Sequence, residues 1–376
     1  MSKTPEIILA LDWYDYRIHQ GVVNVARENG WSLLFLQNSF RSSAVPAAWR
    51  GDGAITLIHS AETYQFFQTH KIPVVDLGLN KHGLAIPRVV TDNVELGRMA
   101  AEHFLERGFT HFYALSTNNI QMFQERYQAF KETLMKKGYD CEIIEVPNLY
   151  DTHLLDLSQA ILKQKLSKFK NPAALFAYED SWAAQWIYLA ESMGLKVPND
   201  LAILGADNNP LIARSLSTPL SSVETNQEGL GQQAALVLKD LMEGKGIGDH
   251  LYKLQPTSVV TRASTDVIAS SNPVIRTALE IMNNDISITA AEVAQQMDMT
   301  QQGLQRAFRT HFHLSPGQIL RKLRIRFIKN ALVHTDKSME EIAFEAGFTS
   351  TPSLYLFFKR EAGETPGNYK KNKIKK

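Results

Sequence analysis

The chain's 376 residues exceed what one ordinary core organises, and 44% hydrophobic with 21% charged residues describes a globular protein rather than a disordered one. A formal net charge of +1 hides an uneven distribution: residues 271–376 hold 16 Lys and Arg against 10 Asp and Glu, whereas the residues before them hold 24 against 29. A basic terminal piece on an acidic body fits an anionic polymer as the partner of the smaller part. No run of eighteen apolar residues occurs, so no membrane-spanning helix is expected, and the opening MSKTPEIILALDWYDY lacks the features of an export signal. The single cysteine, Cys141, cannot form an internal disulfide, which makes a reducing cytoplasm the expected compartment.

From the N-terminus, short apolar runs alternate with helical patterns. Strands are predicted at 6–11, 32–37, 54–58, 73–77, 111–116, 142–146, 174–178 and 201–206, with amphipathic helices such as 93–108 and 181–194 between them. Such alternation predicts parallel sheets with helices on both faces, and eight or more strands over some 265 residues predict two lobes. Ligands of such folds bind outside the carboxyl ends of the strands. Polar residues gather at those ends: Asp12, Tyr14 and Asp15, then Asn118 and Asn119, then Glu179 and Asp180, then Asp207 and Asn208. Each alone is equally well explained as a helix cap. Together they suit the hydroxyls of a sugar, with Trp13, Tyr14 or Trp182 as an apolar face.

Signs of catalysis are thin. No GxGxxG, GxxxxGK[ST], GxSxG or HExxH occurs, and His311 and His313 have no partners for a metal site. Cys141, at a predicted strand start, reads as a small buried hydrophobe. Neither a catalytic group nor a cofactor or metal is expected.

The phrases TDNVELGRMAAEHFLERGFTHFYAL (91–115), ERYQAF (125–130), YEDSWAAQWIYLAESMGLKVPNDLAILGADN (178–208) and STPLSSVETNQEGLGQQAALVLKDLMEG (217–244), with PTSVVTRAST (256–265), keep an order and spacing that resemble the effector domain of LacI/GalR-type sugar-responsive repressors. The resemblance implies a periplasmic-binding-protein-like fold in which Arg126, Asp180 and Asp207 contact the effector. It places Asp92, Glu125, Asn208 and the first-strand loop of Asp12, Trp13, Tyr14, Asp15 and Tyr16 close by. Those repressors carry their DNA-binding module before the first strand. Here only a few residues precede it, so the module is expected elsewhere.

SSNP (270–273) breaks the pattern, and the domains are expected as 1–268, a linker at 269–275, and 276–376. Beyond the break the text is helical and repeats at about fifty residues. TAAEVAQQM (289–297) and SMEEIAFEA (338–346) each open on a capping box, Thr289 with Glu292 and Ser338 with Glu341. Small residues (Ala294, Ala343) and then turn residues (Asp298, Gly347) follow in register. Second helices are predicted at 300–312 and 351–361, so each copy is a helix-turn-helix unit whose second helix suits a major groove. In the first copy Leu304 and Phe308 face the core. That leaves Thr300, Gln301, Gln302, Gln305, Arg306 and Arg309 toward bases and phosphates. In the second, Leu354 and Phe358 repeat the core pair, and Thr349, Ser350, Thr351, Ser353, Tyr355, Leu356 and Lys359 form the DNA side. Phe357 also reads as part of an unusually apolar outer surface. A long helix is predicted over 317–335, buried through Leu320, Leu323, Phe327, Ile328, Ala331 and Leu332, with Arg321, Lys322, Arg324, Arg326 and Lys329 over the rest.

LQRAFRTHFHLSPGQILRKLRIRFIKNALVHT (304–335) and SMEEIAFEAGFTSTPSLYLFFKREAGETPGNY (338–369) resemble the AraC-type DNA-binding domain over nearly the whole tail. The two resemblances in this order imply an α/β two-lobed periplasmic-binding-protein-like domain followed by an all-α domain with two helix-turn-helix units. They imply a dimeric, cytoplasmic transcription activator that binds double-stranded operator DNA, works with RNA polymerase, and is switched by a monosaccharide, with the pentose D-xylose expected. Two other classes were open to such a chain. A DNA-tethered alkyl-repair enzyme needs a reactive acceptor thiol, and a phosphate receiver needs less than half this body.

Overall fold

EIILAL is apolar at every position but the first, and a strand of that kind must be covered on both faces. It forms β1 (Glu6–Leu11), whose last five residues are buried. A computed structural model of the chain describes residues 4–11, 14–37, 45–46, 48–58, 61–79, 85–117, 120–146, 160–161, 164, 172–246, 250–270, 272–335 and 337–374. They fall into two compact units, Met1–Val267 and Ile268–Lys376.

The body holds two six-stranded sheets. In the first, β1 lies between β2 (Ser32–Gln37) and β3 (Gly53–Thr56), followed outward by β4 (Val74–Asp76), β5 (Arg88–Thr91) and β11 (Leu251–Leu254), all parallel. The second runs β12 (Ser258–Val260), β10 (Ser221–Glu224), β9 (Leu201–Ala206), β8 (Ala173–Phe176), β6 (Phe112–Ser116), β7 (Cys141–Glu145); only β12 is antiparallel. The described chain passes from the first sheet to the second after β5, returns after β10, and passes over again after β11.

Each lobe is backed by a pair of closely crossing helices. In the first lobe α1 (Tyr16–Glu28) crosses the later helix Gln227–Met242; in the second, α3 (Asn93–Leu105) crosses α4 (Gln121–Lys136), α2 being Ala61–His70. Glycine permits both approaches. A Cβ on Gly21 would stand 2.1 Å from the Glu228 carbonyl oxygen, and one on Gly97 2.2 Å from that of Arg126. Further along come α5 (Asp180–Ser192), α6 (Pro210–Ala213) and α7, the Gln227–Met242 helix. Cys141 opens β7, is buried, and has its thiol pushed up to about 12 by burial. A thiol so protonated is inert at neutral pH, the state opposite to that of an alkyl acceptor.

The second unit is helical: α8 (Pro273–Asn284), α9 (Ala290–Gln296), α10 (Gln301–Phe312), α11 (Pro316–His334), α12 (Met339–Glu345), α13 (Thr351–Ala362) and α14 (Pro366–Ile374). Both predicted capping boxes form, and Ser315 with Gln318 makes a third at the start of α11. Asp298 and Gly347 occupy the left-handed region in the two turns, at φ 51° and 76°. The unit has two cores. Ile275, Leu279, Met282, Val293, Leu304, Phe308 and Leu323 form one; Ile328, Leu332, Ile342, Leu354, Phe357 and Phe358 form the other. The long helix α11 therefore serves the first core with one end and the second with the other. α8 begins at Pro273, capped by Asn272, and so turns residues expected as linker into core.

Candidate functional site

The phrase LAILGADN ends β9 and turns sharply, because Asp207 and Asn208 both take positive φ (90° and 46°). Non-glycine residues rarely hold two such angles in succession unless the surroundings fix them. Here they do. Arg126, on α4 and only 1% exposed, forks onto the Asp207 carboxylate with Nη2–Oδ1 at 3.0 Å and Nη1–Oδ2 at 3.3 Å. The same guanidinium donates through Nε to Asn93 Oδ1 (2.9 Å) and through Nη1 to the Tyr178 carbonyl (2.6 Å). From the first lobe, Arg17 Nη1 donates to the carbonyls of Asp207 (2.8 Å) and Asn208 (3.1 Å), while Asp15 holds the other edge of Arg17 at 2.6 Å. The crevice between the carboxyl ends of the two sheets is thus lined by a connected set of charged groups.

Asp180 begins α5 and is buried against the β9 backbone, where a Cβ on Gly205 would meet its Oδ1 at 2.3 Å. It accepts from the Ser222 hydroxyl and the Asn209 amide, both at 2.6 Å. Burial pushes its carboxyl well above the ordinary range, with Asp207's charge adding to this and the two donors opposing it. Burial likewise raises Glu179 to about 7, helped by Asp207 and opposed by the Ser181 hydroxyl and Arg126. Asp207 is thus the carboxyl paired with the Arg126 guanidinium, while burial holds Glu179 and Asp180 toward their neutral form.

The structure brings Asp15, Arg126, Asp180, Asp207 and Asn208 together. Asp92 lies at the crossover, where its Oδ1 caps α3 and its Oδ2 accepts from Gln255 at 3.0 Å. Glu125 takes the amide of Gln121 one turn back along its own helix. Tyr14 and Tyr16 are both 46% exposed, and Tyr14 stands against His19 and Phe35. Asp12, Trp13, Asn118 and Asn119 lie outside the described residues. Trp182 corrects the expected apolar face: it is fully buried in the second lobe's core, because it shares the inward side of α5 with Trp186 and Leu189. Besides Arg17, two more residues missed in the sequence complete the set. Gln227, first residue of α7, donates to Thr225 and Asp207 and keeps a buried Oε1 without a partner; Asn93, first residue of α3, keeps its buried Nδ2 likewise. Both follow a strand-end cap, Asp92 or Asn226, and that position was the available signal.

In the second unit Gln301, Gln302, Gln305, Arg306 and Arg309 are all exposed along α10, opposite buried Leu304 and Phe308. Thr300 caps that helix, its hydroxyl accepting from Gly303 N–H at 3.1 Å; Ser350 caps α13 by accepting from Ser353. Thr349, Tyr355, Leu356 and Lys359 are exposed on the second copy, with Thr351 and Ser353 half-buried. Leu356 is 74% exposed. Phe357 does not share that surface: it packs inward beside Phe348, which corrects the reading of three successive outward apolar residues. Nor do all the basic residues of α11 face out. Arg324 donates to the carbonyls of Ile286, Ser287 and Ile288, and Lys329 lies over the Tyr369 ring. His311 bonds Ser270 at 2.8 Å, and among the described residues no group of three or more His, Cys, Asp or Glu could hold a metal.

Residues 101–265 match the periplasmic binding protein-like domain and residues 293–372 the helix-turn-helix domain. The xylose operon regulatory protein of Haemophilus influenzae is 27% identical over 330 residues, covering 85% of each chain. That of Escherichia coli K12 is 24% identical over 370 residues, covering 95% of this chain and 94% of its own. A solved structure of the xylose-binding transcription activator XylR superposes with a TM-score of 0.70 over 98% of both chains at 22% identity. The chain therefore has the fused architecture of the xylose operon regulatory proteins, a periplasmic-binding-protein-like body followed by an AraC-type helix-turn-helix tail, and is a DNA-binding transcription regulator rather than an enzyme.

Proposed function

We propose that the body binds a monosaccharide, with D-xylose the favoured effector, in the crevice where Arg126 meets Asp207, and that this occupancy switches operator binding by the tail. The buried fork of Arg126 on Asp207 carries the reading. The Asp207 carboxylate, oriented by the fork, accepts from sugar hydroxyls, and the one Arg126 N–H left over from its bonds to Asn93, Tyr178 and Asp207 donates to a sugar oxygen. Asp92, Glu125, Asp180 and the loop at Asp15 complete the polar wall. The unpartnered Asn93 Nδ2 and Gln227 Oε1 offer one donor and one acceptor, the pair a hydroxyl satisfies.

On the DNA side, Gln301, Gln302, Gln305 and Arg306 read base edges in one major groove, with Arg309 toward phosphate. Leu356 and Tyr355 meet the next groove through apolar contacts such as a thymine methyl, and Lys359 holds phosphate. The protein acts in the cytoplasm as a homodimer on double-stranded promoter DNA, contacting RNA polymerase to activate transcription. The names of both curated relatives and of the XylR structure support a xylose response. Calorimetric titration with D-xylose, D-ribose, L-arabinose and D-glucose tests the effector reading. D-Xylose should bind most tightly; no monosaccharide binding better than millimolar would overturn it.

A further inference from the structure

We propose that Arg262 is a positioning residue that ties the effector turn to the segment by which the chain leaves the body. The proposal rests on the effector reading above. Asn208, the second residue of the positive-φ turn, has every polar group engaged. Its N–H donates to Ser222 Oγ (2.9 Å), its Nδ2 to Glu224 Oε2 (2.6 Å), its carbonyl accepts from Arg17, and its Oδ1 accepts from Arg262 Nη2 (2.7 Å). Asn208 is thus a junction: whatever re-weights the turn at Asp207 pulls on Arg262.

Arg262 is 5% exposed, and Nη1 and its backbone hold the start of β10, while its buried Nε has no partner. Nη1 donates to the Leu220 carbonyl (2.7 Å) and the backbone N–H to Ser221 Oγ (2.8 Å). The next residues are locked to the same strand. The Thr265 hydroxyl donates to Ser221 Oγ (2.7 Å), and Ser264 Oγ accepts from Ser221 N–H while donating to the Ile203 carbonyl. The segment is gripped from α3 and the turn after it as well, by His103 on Thr265 Oγ1 (2.7 Å) and by Arg107 on the Thr265 carbonyl and Thr261 Oγ1. That helix starts at Asn93, on the Arg126 fork. Residues 261–265 are therefore bonded to the effector groups through Asn208 and Arg262 and, separately, through α3. Two residues later the compact body ends, at Val267. Coupling of this kind needs a turn that a ligand can bias, and the proposal assigns that role to Asp207–Asn208, whose positive-φ conformation is held by Arg126 and Arg17.

Hydrogen–deuterium exchange on the full chain, with and without saturating D-xylose, tests this. In the wild type the sugar should change exchange across 258–267 several-fold. Arg262→Lys, which keeps the charge and loses the fork, should bind D-xylose within about threefold of wild type by calorimetry while that exchange response disappears. Thr265→Val, which cuts the Ser221 link at a second place, should do the same, and thermal unfolding shows which variant is folded. Wild-type sugar binding without a response at 258–267, or folded variants that keep the full response, would overturn the proposal and leave the effector reading standing. A tenfold or greater loss of sugar affinity in both variants would also overturn it, since Arg262 would then act on binding itself. A wild type that binds no monosaccharide would overturn the effector reading, and this inference with it.

Discussion

Arg126 shows how much a single side chain is asked to do. Its guanidinium serves Asn93, Tyr178 and Asp207 at once, from a site with 1% exposure. Arg126→Lys keeps the charge but replaces a planar fork by a point donor, so about 2 kcal/mol of effector binding should go, roughly thirtyfold in Kd. Calorimetry reads this directly, and an unchanged Kd would remove Arg126 from the site. Glu179 gives a pH signature. Its folded pKa of about 7 lies above the ordinary 4.5, so the folded state holds a proton that the unfolded chain releases. Stability present at acidic pH is therefore lost as pH rises from 4.5 through 7. Glu179→Gln should gain Tm relative to wild type between pH 5 and pH 8, whereas parallel curves would show that Glu179 titrates normally. Asp180 and Asp207 stand beside strand-end phrases in the sequence, whereas Arg126, inside α4, was marked out only by the resemblance carried by ERYQAF. Trp182 was misread because its neighbours on α5, three and four residues apart in the helical repeat, decide which side it faces, and a strand-end position says nothing of that.

At the level of elements, glycine sets the spacing of the helix pairs. Gly→Ala inside a helix ordinarily gains up to about 1 kcal/mol. At Gly97 the added Cβ would lie 2.2 Å from the Arg126 carbonyl oxygen and 2.8 Å from Phe130 N, both backbone atoms that cannot swing aside. Overpacking, about 1–3 kcal/mol, should win, lowering Tm and weakening effector binding together as α4 moves Arg126. A variant with raised Tm would refute this. In the tail the turn at Gly347 packs on Ser287, the same loop whose carbonyls Arg324 holds, so the two helix-turn-helix copies are braced against one another. The long strands β1, β2 and β9 were plain in the sequence as runs of six, as were the capping boxes. The strands 88–91, 221–224, 251–254 and 258–260 were not. They are three or four residues long, two lie at sheet edges, and their pairing comes from distant chain that no local pattern encodes.

For the molecule as a whole, a near-neutral total divides into an acidic body and a basic tail. The two copies in that tail differ in what they present: amides and arginines on α10, Tyr355 and Leu356 on α13. On a site selected from a randomised DNA pool, Arg306→Ala should cost about 1–3 kcal/mol and relax preference at one base pair. Leu356→Ala should cost less and relax a single thymine. Fluorescence anisotropy on the selected site and its point variants distinguishes them, and equal losses at all positions would mark both as non-readers. The helix α11 adds a geometric constraint. Because one of its ends belongs to each core, it acts as a rigid ruler that sets the rotational phase of two reading heads on a helical track. One residue inserted midway would turn the second head by about 100° and advance it about 1.5 Å, leaving it facing away from the groove its partner follows. Four inserted residues would nearly restore the phase at a shift of about 6 Å. Tolerance to inserted length should therefore rise and fall with the helical turn, not decline steadily with each added residue.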